Sequence, residues 1–341
     1  MTKIAGIDVG AFPLMLAPME DVSDPPFRIL CKEMGADVVY TEFISAEGLI
    51  RDAHKSVQKL DIYPKERPVG IQIFGAELDS MRQSARIVEE TGPEILDINF
   101  GCPVKKVVCK GAGAGILQNI DKMVSLTKAI VDETDLPVTV KTRLGWDEHT
   151  IKIKEVAYRL QDVGIKALSI HGRTRKQMYK GSADWTLIGE LAQDPNIEIP
   201  IIGNGDVDSA DRAKLMFDQY GVQGIMIGRA SIGYPWIFRE IRHFLATGEY
   251  LAPPTMQERV DICRRHLLMS CDWKGEFTGI REMRRHYNNY FKGISHFKPL
   301  RMRLVQLESL SQLLETLEEI ERDFGHYQFS LDQAVAHPVR A

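Results

Sequence analysis

Short apolar segments rich in Val, Ile and Leu alternate with longer amphipathic segments along the first 250 or so residues of the chain. The short segments are apolar at nearly every position, which is typical of strands buried on both faces of a parallel sheet. Eight such segments predict eight strands: 14–19, 37–42, 69–74, 95–99, 137–142, 167–171, 199–206 and 224–229.

The segments between these strands carry apolar residues at helical spacing. We predict helices over 78–91, 119–134, 149–163 and 208–220, the last two ending near Gly164 and Gly221, because glycine commonly follows the last turn of a helix. Eight βα units within about 250 residues match the size of a (β/α)8 TIM barrel of the α/β class. A doubly wound parallel sheet remains the alternative.

The strand pattern stops after about residue 248. Pro253 and Pro254 interrupt the chain, and the following sequence contains helical patterns, such as 257–271 and 304–324, without further strand-like segments. We therefore predict a barrel domain over 1–248 and a smaller all-helical domain over 253–341.

The composition of the chain excludes several classes of protein. The chain of 341 residues has 43 basic and 47 acidic side chains, a net charge of −4, which excludes a uniformly basic nucleic-acid-binding protein. No apolar run approaches the roughly 18 residues of a membrane span, and the first ten residues lack the apolar core of a secretory signal. The five cysteines form no C-x-x-C pair. We expect a soluble cytoplasmic protein with free thiols, no metal centre and no membrane association.

Polar residues occur at almost every predicted strand end, where the active site of a TIM barrel lies. One polar residue at a strand end is ordinary, but their repetition predicts a functional site. The residues at the eight strand ends, most of them polar, are Pro18 with Met19, Glu42, Gln72, Asn99 with Cys102, Lys141 with Arg143, His171 with Arg173, Asn204 with Gly205 and Asp206, and Gly228 with Arg229.

The seventh and eighth strand ends predict a phosphate site. "GNGD" (203–206) and "IGRA" (227–230) place glycines and backbone N–H groups in the two loops that most often bind phosphate in TIM barrels, with Arg229 available for pairing. Two tight turns that require glycine are the alternative explanation. "GAGAG" (111–115) lacks the context of a nucleotide-binding loop, and we interpret it as a flexible loop near the active site.

Six motifs between about residues 12 and 240 keep the order and spacing of a known family: "LAPMEDVSDPPFR", "DINFGCPVKKV", "VKTRLGWDE", "LSIHGRTRKQMYKGSADW", "IIGNGDV" and "IMIGRA". Together they resemble the tRNA-dihydrouridine synthases, most closely the bacterial B-type branch. The resemblance implies a barrel that contains FMN and a helical domain that binds tRNA. It also implies reduction of the C5=C6 bond of selected uridines with electrons from NADPH.

The resemblance also implies roles for individual residues. Pro18 and Met19 would lie against the flavin ring, Gln72 would hydrogen-bond its polar edge, and Lys141 would lie near its pyrimidine portion. The ribityl phosphate end would be held by His171, Asn204, Gly205, Asp206, Gly228 and Arg229. The chain departs from the family pattern after "PM", where Glu20 and Asp21 replace small residues and add negative charge.

Cys102 would be the general acid. Hydride transfer from reduced FMN to C6 of uracil requires a proton at C5, and a thiol with an ordinary pKa of about 8.5 is protonated at neutral pH yet can release its proton. Lys105 and Lys106 would have to point away from this thiol, because they would lower its pKa. Asn99 would orient the uracil or the flavin, and Arg143 would contact the substrate. A small buried hydrophobic residue is the alternative role for a lone cysteine.

A basic stretch in the helical part indicates RNA binding. Residues 281–303 contain seven Lys and Arg side chains and one acid, and the resemblance favours Arg281, Arg284 and Arg285 as tRNA contacts, with Arg173 extending the basic surface to the barrel rim. An ordinary solvated helix face is the alternative. We predict tRNA as the partner and no stable protein partner.

Two other functions remain open from the sequence. A flavin oxidoreductase acting on a free pyrimidine such as dihydroorotate would share the fold and cofactor but leaves the basic helical stretch unexplained. A non-catalytic RNA-binding protein on a barrel scaffold would leave the filled flavin and acid positions unexplained.

Overall fold

The computed structural model describes residues 1–331, and the predicted fold class is confirmed. Eight parallel strands form a closed barrel in the order β1-β8-β7-β6-β5-β4-β3-β2, and the parallel bridge between Met15 and Val38 closes the ring. The strands are β1 (Leu14–Leu16), β2 (Val39–Tyr40), β3 (Val69–Phe74), β4 (Ile95–Asn99), β5 (Val138–Arg143), β6 (Ala167–His171), β7 (Ile201–Asn204) and β8 (Gly224–Ile227).

Each predicted strand overlaps one barrel strand, although β1, β2, β7 and β8 are shorter than the apolar segments that predicted them. Two features were not predicted. Ile44–Ser45 adds a short parallel pairing to the end of β3. An antiparallel hairpin joins Lys3–Ile4 to Ile7–Asp8, and its Ile4 packs in one cluster with barrel residues such as Met15 and Met226. The hairpin therefore contributes to the core.

The helices cover the outside of the barrel and then continue beyond it. Helix 78–91 has the predicted bounds and ends at Gly92, which adopts a left-handed conformation (φ 72°). The helices are α1 (Pro25–Glu33), α2 (Ala46–Leu49), α3 (His54–Gln58), α4 (Leu78–Thr91), α5 (Lys105–Val108), α6 (Ile120–Val131), α7 (Ile153–Asp162), α8 (Thr186–Ala192), α9 (Ala210–Tyr220), α10 (Ile237–Thr247), α11 (Met256–Lys274), α12 (Glu276–Tyr290), α13 (Lys298–Gln306) and α14 (Leu310–Phe324).

The C-terminal part is helical over α11–α14, as predicted, but the helix predicted over 304–324 is wrong as a single element. The chain leaves α13 at Leu307, whose backbone is extended, and re-enters a helix after Ser309. The last ten residues of the predicted domain 253–341 lie outside the described residues.

The helical part packs directly on the barrel through α1. Phe27 lies against the rings of His266 and His286, and Lys274 forms a largely buried ion pair with Asp24 at 2.5 Å. Within residues 1–331, no helix is long and apolar enough to cross a bilayer.

Candidate active site

A cavity of about 550 Å³ opens at the carboxyl ends of the barrel strands. This volume is in the range of small-molecule and cofactor sites. Most of the predicted site residues line it, whereas Gln72, Arg281, Arg284 and Arg285 do not. The lining includes Pro18, Met19, Asn99, Cys102, Lys141, Arg143, His171, Arg173, Asn204, Gly205, Asp206, Gly228 and Arg229.

Strand register brings these distant residues together. Asn99 on β4 is paired with Lys141 on β5, Arg143 on β5 with His171 on β6, and His171 with Asn204 on β7. Because side chains two residues apart on a strand point to the same side, Lys141 and Arg143 both face the cavity. The parallel register therefore builds one continuous polar surface from four strand ends.

One end of this surface is strongly basic. His171 is almost fully buried, and burial together with the charges of Arg143, Lys141, Arg173 and Arg229 holds its pKa well below the usual range. The imidazole is therefore neutral at physiological pH. It lies within a group of cations that would stabilise an anionic ligand.

Asp206 lies among these cations as an anion. Its carboxylate accepts hydrogen bonds from Arg173 at 2.7 and 3.0 Å, from Arg229 at 3.0 Å and from the Ala183 N–H at 2.7 Å. Burial opposes ionisation, but these donors keep the pKa of Asp206 below its ordinary value. The Asp206 side chain therefore positions the two arginines, and its carboxylate would repel a phosphate.

The backbone supplies donors at the same end. A 3₁₀ helix begins at Arg229, so the first N–H groups of this turn, at Arg229 and Ala230, have no partner within the helix. Gly205 has a left-handed backbone (φ 124°), and a Cβ there would come within 2.7 Å of Ala183 and 3.0 Å of His171. Only glycine fits this position without displacing the ring.

Cys102 lies in the cavity wall with 7% of its surface exposed. Burial raises the pKa of its thiol above the ordinary value, and the N–H of Val104 and the charge of Arg143 only partly oppose this effect. Lys105 and Lys106 are exposed. The thiol is therefore protonated at neutral pH.

Two cations lie beside the thiol. Burial and the charge of Arg143 lower the pKa of Lys141 to about 8, so this side chain carries its charge below that pH. Arg143 is buried and donates to the carbonyls of Gly101 at 2.7 Å, Met178 at 2.9 Å and Thr174 at 3.1 Å. These bonds connect the loops after β4 and β6.

Gln72 lies beneath the cavity rather than in its wall. Its Nε2 donates to Asp97 at 2.5 Å, and its Oε1 accepts from Asn99 at 2.8 Å. The family resemblance implied that Gln72 hydrogen-bonds the polar edge of the flavin. In the structure its amide bonds to Asp97 and Asn99, one layer below the residues that line the cavity.

The loop after β1 carries the unusual acids Glu20 and Asp21. Glu20 forms an ion pair with Lys59 at 2.7 Å, and Asp21 forms one with Arg285 at 3.1 Å. Lys59 also lies 3.3 Å from Glu42, so a cation already occupies this group of three carboxylates. The added negative charge is therefore compensated within the protein.

The three predicted tRNA-contacting arginines of α12 differ in their surroundings. Arg281 is half-exposed, stacks on Phe277 with its guanidinium 3.7 Å from the ring centroid, and lies 3.4 Å from Glu308. Arg284 donates to the Leu307 carbonyl at 3.3 Å. Arg285 donates to the carbonyl of Asp21 at 3.0 Å, so it connects the helical part to the cavity loop.

Tyr179 and Asp97 were not predicted as functional residues, and the prediction of a flexible loop over 111–115 was wrong. Tyr179 lines the cavity and lies within cation–π distance of Arg143 and Arg229, but a loop aromatic gives no periodic signal. Asp97, a carboxylate inside an apolar strand, was a visible anomaly that the sequence analysis left unused. The glycine-rich segment 111–115 is not an open loop: it enters a buried 3₁₀ helix, Gly113–Gln118, and the Ala114 N–H donates to the Cys102 carbonyl at 3.0 Å.

Solved structures with similar folds include a complex of 2-naphthoyl-CoA reductase with 2-naphthoyl-CoA. The two chains superpose with a TM-score of 0.55 at 11% identity, covering 71% of this chain and 51% of the other. A histamine dehydrogenase from Rhizobium sp. 4-9 gives a TM-score of 0.52 at 11% identity, covering 77% of this chain and 50% of the other. At this level of identity the likeness supports the barrel fold alone.

Sequence comparison is more specific. The chain is 41% identical to tRNA-dihydrouridine synthase B of Shewanella oneidensis over 277 residues, covering 81% of this chain and 85% of that protein. It is 38% identical to the Proteus vulgaris protein of the same name over 312 residues, covering 91% and 96%. The model of the dihydrouridine synthase (Dus) family matches residues 15–324, which include both the barrel and α11–α14. The chain therefore belongs to the dihydrouridine synthase family.

Proposed function

We propose that this protein reduces the C5=C6 bond of uridines in tRNA to give dihydrouridine, with FMN as its bound cofactor and NADPH as the reductant. The observation that carries this proposal is the buried thiol of Cys102, whose pKa burial raises, in the wall of the same cavity as the cations around His171. The two curated relatives described above carry the name tRNA-dihydrouridine synthase B, which supports the same reaction.

The cavity residues fit a flavin mononucleotide. Ala17, Pro18 and Met19 provide an apolar surface for a planar ring, and the N–H groups of Arg229 and Ala230 with the Arg229 guanidinium provide donors for a phosphate. When bound and reduced, FMN would supply the hydride. Lys141, charged below about pH 8, would stabilise negative charge on the cofactor.

Cys102 would supply the proton. Its thiol is protonated at neutral pH, and the Asn99 Oδ1 accepts the Cys102 N–H at 2.8 Å, which fixes the position of the peptide that carries the acid. Proton transfer to C5 would leave a thiolate, which the Val104 N–H and Arg143 would stabilise. Arg143 and Asn99 line the same cavity and would contact the uracil or the ring next to it.

tRNA would be held by the helical part and the barrel rim. We retain Arg281 and Arg284 as phosphate contacts, because their partner Glu308 is itself exposed and easily exchanged for a stronger anion. Arg285 and Arg173 instead have several protein partners, Asp21 and Asp206 respectively among them. Their contribution to tRNA binding would be indirect, through the loops that they hold. A uridine must leave its base stack to enter the cavity.

The test is anaerobic. The purified protein is reconstituted with FMN, reduced with NADPH and mixed with unmodified tRNA, or separately with free uridine or orotate, while flavin absorbance is followed. Fast reoxidation by tRNA alone, with dihydrouridine in the recovered tRNA, is the expected result. Reoxidation only by a free pyrimidine would replace the proposal with a small-molecule reductase.

A further inference from the structure

A buried chain of polar groups connects the barrel interior to the loop of the acid. Asp97 on β4 accepts from the Gln72 amide at 2.5 Å, Gln72 accepts from the Asn99 amide at 2.8 Å, and Asn99 accepts the N–H groups of Cys102 at 2.8 Å and Gly101 at 3.0 Å. Thr139 donates to the other oxygen of Asp97. All four side chains are at most 6% exposed.

Strand register, rather than loop geometry, places this chain of polar groups. Gln72, Asp97 and Thr139 are directly paired on three adjacent strands, β3, β4 and β5. Asn99 lies two residues further along β4, so it points to the same side as Asp97 but one layer nearer the cavity. A change at Asp97 can therefore reach the cavity wall through side chains that have little freedom to move.

The direction of every hydrogen bond in the chain is set from both ends, by a carboxylate that only accepts and by two backbone N–H groups that only donate. An ionised carboxylate only accepts, so Gln72 must turn its NH₂ toward Asp97 and its carbonyl toward Asn99. Asn99 must then turn its NH₂ toward Gln72 and its carbonyl toward the N–H groups of Gly101 and Cys102. Burial raises the pKa of Asp97 to about 6, and the hydrogen bonds from Thr139 and Gln72 only partly oppose this rise. The carboxyl group is therefore ionised at neutral pH.

We infer that Asp97 is a positioning residue: together with the backbone N–H groups of Gly101 and Cys102 it holds Gln72 and Asn99 in one orientation, so that Asn99 fixes the peptide of Cys102 and has only an N–H to offer to the cavity. A ligand atom at Asn99 must then be an acceptor, such as a carbonyl oxygen, and an amino group there would be rejected. The part of this inference that concerns uridine rests on the proposed function, and the part that concerns the Cys102 loop does not.

The inference is tested with a variant pair that first removes the charged acceptor from the inner end of the chain and then restores a carboxylate one position nearer to Asn99. In Asp97→Asn, the oxygen of the new amide can still accept from Gln72, but a neutral acceptor replaces a charged one, so the two amides are held less firmly. In Asp97→Asn/Gln72→Glu, the amide introduced at position 97 donates its NH₂ to the carboxylate introduced at position 72, which can only accept. This arrangement again forces the Asn99 NH₂ inward and its carbonyl toward Cys102. The double variant also has the same net charge as the wild type.

Thr142→Val is the matched control. Thr142 is fully buried on β5 and donates to the carbonyl of Phe100, in the same loop as Cys102 but outside the polar chain. The substitution therefore removes a buried hydrogen bond of similar kind without changing the direction of the Asp97 chain.

Two readouts separate this inference from the proposed function. The first is the alkylation rate of Cys102 by iodoacetamide in the FMN-reconstituted protein, measured on the Cys102 peptide by mass spectrometry. The second is reoxidation of the NADPH-reduced protein by unmodified tRNA. We expect Asp97→Asn to alkylate at least about threefold faster and to be reoxidised about tenfold more slowly, which corresponds to loss of about one hydrogen bond. FMN content and reduction by NADPH should be unchanged.

The double variant should return both rates to within about threefold of the wild type, and Thr142→Val should leave both near the wild type. Wild-type alkylation in Asp97→Asn, or a double variant no better than the single one, would overturn the inference. If tRNA does not reoxidise the wild-type protein at all, the proposed function fails, and the alkylation rates still decide whether Asp97 positions Cys102.

Discussion

The barrel mouth, meaning the cavity wall around His171 and Asp206, and helix α12 are both rich in basic residues. Their charges are compensated to different extents in the structure. At the mouth, four cations surround His171, and Asp206 is the carboxylate that pairs with two of them, Arg173 and Arg229. On α12, Arg281 and Arg284 face Glu308, and Arg285 faces Asp21. The mouth therefore retains excess positive charge in a partly desolvated cavity, whereas α12 is largely neutralised on a solvated surface.

A count of basic residues therefore does not measure the electrostatic potential at a binding site. A charge inside a cavity of low dielectric acts more strongly than an exposed charge that is paired and screened by salt. We expect tight, specific anion binding at the mouth and weaker, salt-sensitive contacts along α12.

Cys102→Ala should abolish the proton transfer while leaving the mouth intact. We expect dihydrouridine formation to fall by at least about 10²-fold, the range typical of a lost general acid, with FMN binding and reduction by NADPH retained. Product is measured by mass spectrometry of tRNA nucleosides. The control is Cys109→Ala, which removes an exposed thiol. Undiminished product from Cys102→Ala would show that Cys102 is not the general acid.

Arg229→Met should weaken FMN binding by about 10- to 100-fold, because a charge-assisted hydrogen bond to phosphate is worth about 1.5–3 kcal/mol. The dissociation constant is measured by quenching of flavin fluorescence. Riboflavin, which lacks the phosphate, should bind both proteins equally. Arg86→Met, which removes a cation paired with Glu133 on the outer surface, is the control. Equal loss of riboflavin binding would show a general collapse of the cavity.

Arg281→Ala/Arg284→Ala should weaken tRNA binding by up to about tenfold and make the dependence of affinity on salt shallower by roughly one to two phosphate contacts. Flavin reduction by NADPH should not change. Arg285→Ala is the informative comparison, because this arginine holds the loop of Glu20 and Asp21. It should leave the salt dependence nearly unchanged and instead weaken FMN binding. A shallower salt dependence of tRNA binding in Arg285→Ala would instead show that Arg285 contacts tRNA phosphates directly.

Raising the pH should weaken FMN binding a few-fold between pH 7 and 9. Lys141 is charged below its pKa of about 8 and neutral above it, so the cavity loses one cation as the pH rises. His171 stays neutral across this range and contributes no change, because its pKa is far lower. Lys141→Met should remove the pH dependence. An unchanged pH dependence of FMN binding in Lys141→Met would assign that dependence to another ionisable group.

The order and type of the elements were predictable because the signals are local. Apolar segments with β-branched residues define the eight strands, and alternation with helices defines the barrel. The broken helix at Leu307–Ser309 was not predictable, because an apolar periodicity can continue across a break that only packing reveals. Residues at strand ends could likewise be identified as site candidates, since a barrel collects these ends at one face.

The amino-acid sequence specifies which chemical groups are available: a thiol, an amide, a lysine, a histidine and several arginines at strand ends. Their use depends on contacts that form only in the folded chain. Strand register places Gln72 and Asp97 side by side beneath the cavity. The packing of loops and helices makes Asp206 the partner of Arg173 and Arg229 and sets Arg285 against Asp21. The physical reason is that pKa values, hydrogen-bond direction and charge compensation depend on distances of a few ångströms between residues far apart in the chain, which no local pattern encodes.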